Sequence, residues 1–292
     1  MEFRPIPCHE SLRPFIRNYW ILNAQGTARG TQTVFSNGAG SLHFYLSQAV
    51  AVNDSKTLHR TMLYHQEMNI VGVVTEEGPV VIFGVEFVPF CSRMFFKTAF
   101  VGEFQTPEER HDEEFTQMCS NVHEAADLDA RVTLLDEFFL KRLTEIPAND
   151  VNMDRLKDVF DEIVPTDGTV ACPPGSKEEF STSDLASTAC LSQKQFTRVF
   201  NKYVGMNPKT YLRLLRFHKS LMELQQAHSQ ESLTDVAWRC GYYDLPHMTA
   251  DFKDICGFSP SDLLSAGTDL TETFGSDFSI LMRKKIKVEN LI

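Results

Sequence analysis

The sequence predicts an α+β protein, with a β-rich N-terminal domain at residues 1–110 and an all-α C-terminal domain at residues 181–264. Two observations predict this order. Short runs rich in β-branched and aromatic residues, bounded by Gly, Asn, Asp or Pro, fill the first part of the chain and favour strands. Landmark residues in the last third recur 52 residues later, which indicates a duplicated unit of short helices.

Three runs carry the strand signal of the N-terminal domain: Ser41–Val52, Asn69–Thr75 and Val80–Val88. Within the last run, Glu86 lies between two apolar neighbours, Val85 and Phe87. Because successive side chains of a strand point to opposite faces, the carboxylate of Glu86 is expected either in solvent or facing a pocket.

Residue types that can bind metals or act as nucleophiles occur here without partners at a diagnostic spacing; they are His43, His59, His65 and Cys91. The seven cysteines of the chain are scattered and include no C-x-x-C pair, which disfavours a disulfide framework or a zinc site. We therefore predict no metal, no cofactor and no catalytic residue.

A segment that begins polar and becomes helical follows at residues 111–164. Its apolar residues recur at helical spacing, at Val132, Leu135, Phe138, Phe139 and Leu143. Such a face packs within its own domain or forms a homodimer. Residues 165–180 are rich in Pro, Gly and Ser, and we expect them to form a flexible linker.

The C-terminal domain contains two repeats, Ser181–Leu212 and Ser232–Leu264. Each repeat has helix start and stop signals in the same order: a capping pair, a second N-cap, a glycine stop, and an N-cap followed by proline. In the first repeat these are Ser181 with Asp184, Ser192 with Gln195, Gly205, and Asn207-Pro208. In the second they are Ser232 with Asp235, Asp244, Gly257, and Ser259-Pro260. A linker helix over residues 208–226 is expected to join the repeats.

A basic stripe, Ser192–Lys219, contains seven Lys or Arg and no Asp or Glu, although the chain carries a net charge of -11. Residues 220–264 sum to -5. A charge run is often a plain solvated face, but unopposed cations also fit a polyanion. The position of the stripe in a duplicated helical unit favours double-stranded DNA, whose major groove admits an α-helix. An all-helical protein-interaction domain is the alternative.

An ordered set of motifs runs through both repeats: Leu185-Ala186, Leu191-Ser192, Phe196, Phe200, Gly205, Pro208, Tyr211, Arg216, Asp235–Ala237, Cys240–Asp244, His247, Phe252-Lys253 and Gly257–Pro260. Together these motifs resemble the double helix-turn-helix domain of the AraC/XylS family of bacterial transcription regulators. In the N-terminal part, Tyr19-Trp20, Gly38–Phe44, Phe83–Pro89 and Met94–Phe96 are similar to a sensor-like domain found in a subset of that family.

The resemblance implies that the second helix of each repeat enters the major groove, the first such recognition helix lying at residues 193–203. The DNA-contacting positions expected in the first repeat are Lys194, Gln195, Thr197, Arg198, Asn201 and Lys202. On the linker helix, Lys209 and Arg213 are expected to hold phosphates, whereas Arg216 either pairs internally or contacts DNA. The candidates in the second repeat are His247, Thr249 and Lys253. Because Ala250 stands opposite Arg198, we expect the first repeat to dominate base readout.

The sequence therefore predicts a sequence-specific DNA-binding transcription regulator that is not an enzyme. Its expected partners are double-stranded promoter DNA, RNA polymerase, and a small effector or a second copy that acts through the N-terminal domain. The absence of a signal peptide or an apolar run long enough to span a bilayer predicts a cytoplasmic protein without membrane contact.

Two alternatives remain at this point: a repair-type enzyme fused to a helix-turn-helix module, and an interaction module with degenerate DNA binding. The tail at residues 265–292 carries a basic cluster at residues 283–287 that either touches DNA or is solvated.

Overall fold

The computed structural model describes residues 2–27, 30–35, 40–52, 57–64, 70–75, 78–89, 91–96, 104–146, 150–163, 180–226, 232–265, 273–274 and 278–282. Its strands are β1 (Glu2–Ile6), β2 (Ile16–Thr27), β3 (Gly30–Phe35), β4 (Ser41–Tyr45), β5 (Val50–Val52), β6 (Leu58–His59), β7 (Thr61–Tyr64), β8 (Ile70–Thr75), β9 (Gly78–Phe87), β10 (Phe104–Gln105), β11 (Thr273–Phe274) and β12 (Phe278–Met282). Its α-helices are α1 (Glu113–Glu124), α2 (Leu128–Thr144), α3 (Val151–Ile163), α4 (Thr182–Thr188), α5 (Gln193–Val204), α6 (Pro208–Gln226), α7 (Leu233–Arg239), α8 (Leu245–Cys256) and α9 (Pro260–Ser265).

The chain forms two compact units, which we describe separately. The N-terminal unit comprises most of the first 150 residues and ends at Asp150. The C-terminal unit runs from Val151 onward and also includes two short stretches, Gln32–Gly38 and Met68–Ile70. The predicted fold class is confirmed, since a β-rich N-terminal part precedes an all-α region with two helix-turn-helix repeats on either side of α6.

The N-terminal unit is built on an antiparallel sheet with strand order β1-β2-β9-β4-β7-β10. The predicted run Ser41–Val52 is two strands, β4 in this sheet and β5, which pairs with β6 and β8. One face of the sheet packs against α1 and α2 through buried aromatic side chains. The ring centroids of Phe87 and Phe139 are 5.6 Å apart, and those of Phe95 and Phe139 are 5.0 Å apart. The apolar face of α2 is thus buried within its own unit.

The opposite face of this sheet buries polar and aromatic side chains. His43 is fully buried, its ring lies 5.0 Å from that of Trp20, and burial lowers the pKa of His43 to about 3. The indole of Trp20 covers Gly84 so closely that a Cβ at this glycine would collide with it. Glu86 is also buried, 3.8 Å from the guanidinium of Arg17, so its carboxylate faces the interior of the unit rather than solvent.

The helix α3 packs with the first repeat in the C-terminal unit. The ring of Phe160 stacks on Phe200 with centroids 5.8 Å apart, and the Thr188 hydroxyl donates to Glu162 over 2.6 Å. The unit boundary therefore precedes α3, whereas the sequence placed a helical segment at 111–164 ahead of a linker. Nearly all of that predicted linker, residues 165–180, lies outside the described residues, as does the basic cluster at 283–287.

In the tail, β12 pairs with β11 and with β3. None of the helices that the structure describes is long and apolar enough to cross a bilayer.

Candidate nucleic-acid interface

The second helices of the two repeats, α5 and α8, begin and end with equivalent hydrogen bonds. At the start of α5, the main-chain N–H of Gln195 donates to the Ser192 hydroxyl over 3.4 Å. At the start of α8, the main-chain N–H of His247 donates to the Asp244 carboxylate over 2.8 Å. Both helices end at a left-handed glycine, where φ is 88° at Gly205 and 74° at Gly257. The local signals of the sequence therefore set both helices, each 12 residues long.

The buried face of α5 anchors it, and its opposite face is open. Phe196 and Phe200 are fully buried. The structure exposes Lys194, Gln195, Arg198, Asn201 and Lys202 and leaves Thr197 half-buried. On the N-terminal turn of α6, Lys209 is exposed as well. Four cations therefore lie on one continuous stretch of chain with no carboxylate among them.

The same positions of α8, 52 residues later, have the same burial but different chemistry. Met248 and Phe252 are fully buried, as their counterparts on α5 are. The exposed positions are Pro246, His247, Ala250, Lys253 and Asp254, with Thr249 half-buried. The ring of His247 stands perpendicular to that of Tyr242 at 5.3 Å. The open face of α8 therefore carries one cation, Lys253, and one carboxylate, Asp254, among uncharged side chains.

The sequence predicted that Arg213, on α6, contacts a DNA phosphate. In the structure its guanidinium pairs with two carboxylates of α8. Its Nε donates to Asp251 over 2.6 Å, and its Nη1 lies 2.6 Å from an Asp254 oxygen. Burial alone would lower the pKa of Arg213, but the bonds and charges of both carboxylates outweigh it and raise that pKa. The side chain of Asp251 is only 8% exposed and takes the position that Val199 holds in α5. These ion pairs hold α8 against the linker helix.

Other cations of α6 are also engaged within the domain. The Arg216 guanidinium lies over the Tyr242 ring, 5.1 Å from its centroid. The Lys219 ammonium donates to the main-chain oxygen of Arg239 over 2.9 Å. The basic stripe of the sequence therefore divides into an exposed part, from α5 to the start of α6, and a part that packs against the second repeat.

Two exposed aromatic side chains of the second repeat escaped the sequence reasoning. Tyr243 is 87% exposed and directly precedes Asp244, the N-cap of α8. Trp238, on α7, is 58% exposed. The sequence did contain a signal for Tyr243. It is an aromatic residue directly before an N-cap, and it does not fit the apolar spacing of α7 or α8, so it is not needed for the core of either helix.

The sequence singled out four residues of metal-binding or nucleophilic type, one of which, His43, is the buried histidine described above. Cys91 is buried and His59 half-buried, whereas His65 falls outside the described residues. Within the described part of the chain, no three His, Cys, Asp or Glu side chains lie close enough together to hold a metal ion.

Known proteins match the two parts of the chain separately. Residues 185–266 match a family described as a helix-turn-helix domain, and residues 4–105 match a domain of unknown function, DUF6597. The HTH-type transcriptional activator RhaS of Enterobacter sp. (strain 638) is 34% identical over 86 residues, which are 30% of this chain and 30% of that protein. The HTH-type transcriptional regulator ArgR of Pseudomonas aeruginosa is 26% identical over 86 residues, 30% of this chain and 26% of the relative.

Among solved structures, ToxT from Vibrio cholerae is 10% identical, with 84% of this chain and 98% of that one covered and a TM-score of 0.43. The chain spans about three tenths of the length of the curated relatives that it matches. The helix-turn-helix family match, at residues 185–266, falls on the two repeats whose helices, caps and glycine stops are equivalent. The C-terminal region of this chain is a double helix-turn-helix domain of the AraC/XylS family.

Proposed function

We propose that the protein is a sequence-specific DNA-binding transcription regulator in which α5 dominates base readout. The observation that carries this proposal is the open face of α5, where Lys194, Arg198 and Lys202 are exposed on a helix that contains no acidic residue. A helix of this kind fits the major groove, and its cations attract phosphates. The matched relatives are named as transcriptional activators and regulators, which supports the same function.

The side chains of this face divide into base readers and phosphate contacts. Arg198 has the planar fork that donates two hydrogen bonds to O6 and N7 of guanine, and the amide of Asn201 suits adenine. The Gln195 side-chain oxygen accepts from Ser192, which leaves the Gln195 NH₂ group as a donor to DNA. Thr197 lies between Gln195 and Asn201 and can bond to either class of base. The exposed ammonium groups of Lys194, Lys202 and Lys209 contribute salt-dependent phosphate contacts, which set affinity and position without reading sequence.

The second repeat has fewer hydrogen-bonding base readers than the first and adds contacts to the DNA backbone. Lys253 is exposed on α8, and the Tyr243 hydroxyl is available as a phosphate donor beside the helix start. Arg213 acts in this proposal as a positioning residue, because its guanidinium offsets the carboxylates of Asp251 and Asp254 that would otherwise repel phosphate.

We propose that the N-terminal unit controls DNA binding through a small effector or through a second copy of the chain. The buried aromatic and polar face around His43 supports an interior site, since effector sites combine apolar walls with a few polar groups. The apolar face of α2 is already covered by the sheet, so a homodimer requires another surface. A thermal-shift screen of metabolites against the full chain tests the effector, since a ligand specific to the folded state raises the melting temperature.

The regulator proposal is tested by selecting bound duplexes from a random library and measuring affinity for the selected sequence over a salt series. We expect a sequence preference of at least about a thousandfold over unrelated DNA and a steep loss of affinity with salt. Binding without sequence preference or salt dependence would contradict the proposal and favour an interaction module. A selected duplex that is chemically altered on incubation would favour the repair enzyme.

A further inference from the structure

Within the open face of α8, four residues form a stripe at positions i, i+3, i+4 and i+7: Pro246, Thr249, Ala250 and Lys253. Side chains with this spacing share one face of a helix. Pro246, Ala250 and Lys253 are exposed and Thr249 is half-buried, a burial pattern identical to that of the counterpart stripe on α5. The first three positions present a pyrrolidine ring, methyl groups and the Thr249 hydroxyl, and the only charge of the stripe lies at its C-terminal end.

The chemistry of this stripe restricts which base it can recognise. Guanine O6 and N7 require hydrogen-bond donors, and Ala250 has none where Arg198 stands in the first repeat. The apolar group in the major groove is the C5-methyl of thymine, which alanine and the threonine methyl contact well. The DNA-facing surface of α8 therefore matches thymine rather than guanine.

The charged side chains around α8 balance one another, which is consistent with an apolar contact between α8 and the DNA bases. Asp251 and Asp254 are paired with Arg213, and Lys253 adds a second positive charge beside them. These four side chains sum to zero, so the helix neither attracts nor repels phosphate strongly. Contact between α8 and DNA then depends on how well its small side chains fit the groove.

Building on the regulator function proposed above, we infer that the operator has two unlike half-sites: a guanine-containing one read by α5, and a thymine-rich one read through C5-methyl groups by Pro246, Thr249 and Ala250. The two recognition helices of one chain then take successive stretches of major groove, and their order fixes the direction in which the protein lies on DNA.

Base analogues in the selected duplex test this inference with the full chain in fluorescence anisotropy. Replacing thymine by deoxyuridine removes only the methyl group. We expect about a fourfold loss of affinity for each contacted thymine, since burial of one methyl group contributes about 0.8 kcal/mol. Replacing guanine by 7-deazaguanine removes N7 and should weaken binding at the other half-site, in the wild type but not in Arg198→Ala.

Protein variants assign the methyl contacts to α8. For each thymine position of the duplex, we compare the affinity for the thymine duplex with that for the uracil duplex. In Ala250→Gly and Thr249→Ser this ratio should fall toward one at the thymine that the changed residue contacts. Any general loss of stability cancels in that ratio. Lys253→Ala is the control, because removing a phosphate contact lowers affinity for both duplexes equally and leaves the ratio at about four.

The experiments distinguish a wrong inference about α8 from a wrong regulator function. If 7-deazaguanine weakens binding and no uracil substitution does, α8 does not read thymine and the regulator function stands. Uracil effects that stay unchanged in both α8 variants also overturn the inference, since other side chains then contact the methyl groups. If the selection returns no preferred sequence, the regulator function itself is contradicted.

Discussion

The helices α5 and α8 share a buried half and differ in their exposed half. Each has 12 residues, starts at a side-chain cap and stops at a left-handed glycine. Phe200 and Phe252 fill equivalent core positions. On the open faces, however, Arg198 is matched by Ala250 and Lys202 by Asp254. Caps and core residues therefore maintain the helix-turn-helix in both repeats, while the exposed residues of the second helix vary independently of them.

The largest expected effect concerns the half that the two helices share. Both Phe200→Ala and Phe252→Ala remove a fully buried ring, and each should lower the free energy of unfolding by about 3–5 kcal/mol. Urea titrations followed by circular dichroism measure this loss. Arg198→Ala is the control, since a change at an exposed position should shift stability by less than about 0.5 kcal/mol. A mild effect at one phenylalanine and a large effect at the other would show that the two cores are not equivalent.

Arg213 tests a contact that exists only in the second repeat. Arg213→Ala leaves the buried Asp251 carboxylate without its cation, and we expect a loss of about 1–3 kcal/mol in unfolding free energy. The measurement is the same urea titration.

The matched variant comes from the first repeat, where Val199 occupies the position of Asp251. Adding Asp251→Val to Arg213→Ala should restore most of the stability, because the buried charge is gone. A double variant that is no more stable than Arg213→Ala would show that the ion pairs do not stabilise α8.

Much of this comparison could be predicted from sequence, because its causes are local. A capping residue and its hydrogen-bond partner lie three residues apart, as Ser192 and Gln195 do. The ends of α5 and α8 are therefore determined by residues close to them in the sequence. The exposed positions of both helices follow from helical spacing in the same way.

The contacts between distant segments could not be predicted. Arg213 and Asp251 are 38 residues apart, and nothing near Arg213 in the chain distinguishes an internal ion pair from a phosphate contact. The apolar face of α3 does not tell from sequence which segment it packs against, whereas the stacking of Phe160 on Phe200 and the Thr188–Glu162 hydrogen bond show that it packs against the first repeat. The interior direction of Glu86 was likewise undetermined, because alternation in a strand identifies two faces without telling which is buried.

If both helices contact DNA as proposed, their exposed halves should differ in base readout. Arg198→Ala should reduce affinity for the selected duplex by about 10- to 100-fold, because a bidentate arginine–guanine pair provides about 1–3 kcal/mol of discrimination. Thr249→Ala on α8 should cost less than about threefold. Anisotropy titrations at fixed salt compare the two variants, with unrelated DNA as the reference. Equal losses would contradict the predicted dominance of the first repeat.

The smallest expected effect comes from making α8 resemble α5. Ala250→Arg restores at the second repeat the side chain that Arg198 provides at the first, on an exposed position where an arginine fits without altering the core. Affinity for the original duplex should change by less than about threefold, because the added cation gains a phosphate while its bulk displaces a methyl contact. A renewed selection should, however, replace one thymine of the second half-site by guanine. If the selected sequence stays the same, α8 does not lie close enough to the bases for position 250 to read them, and the difference between the helices is then one of placement rather than of side chains.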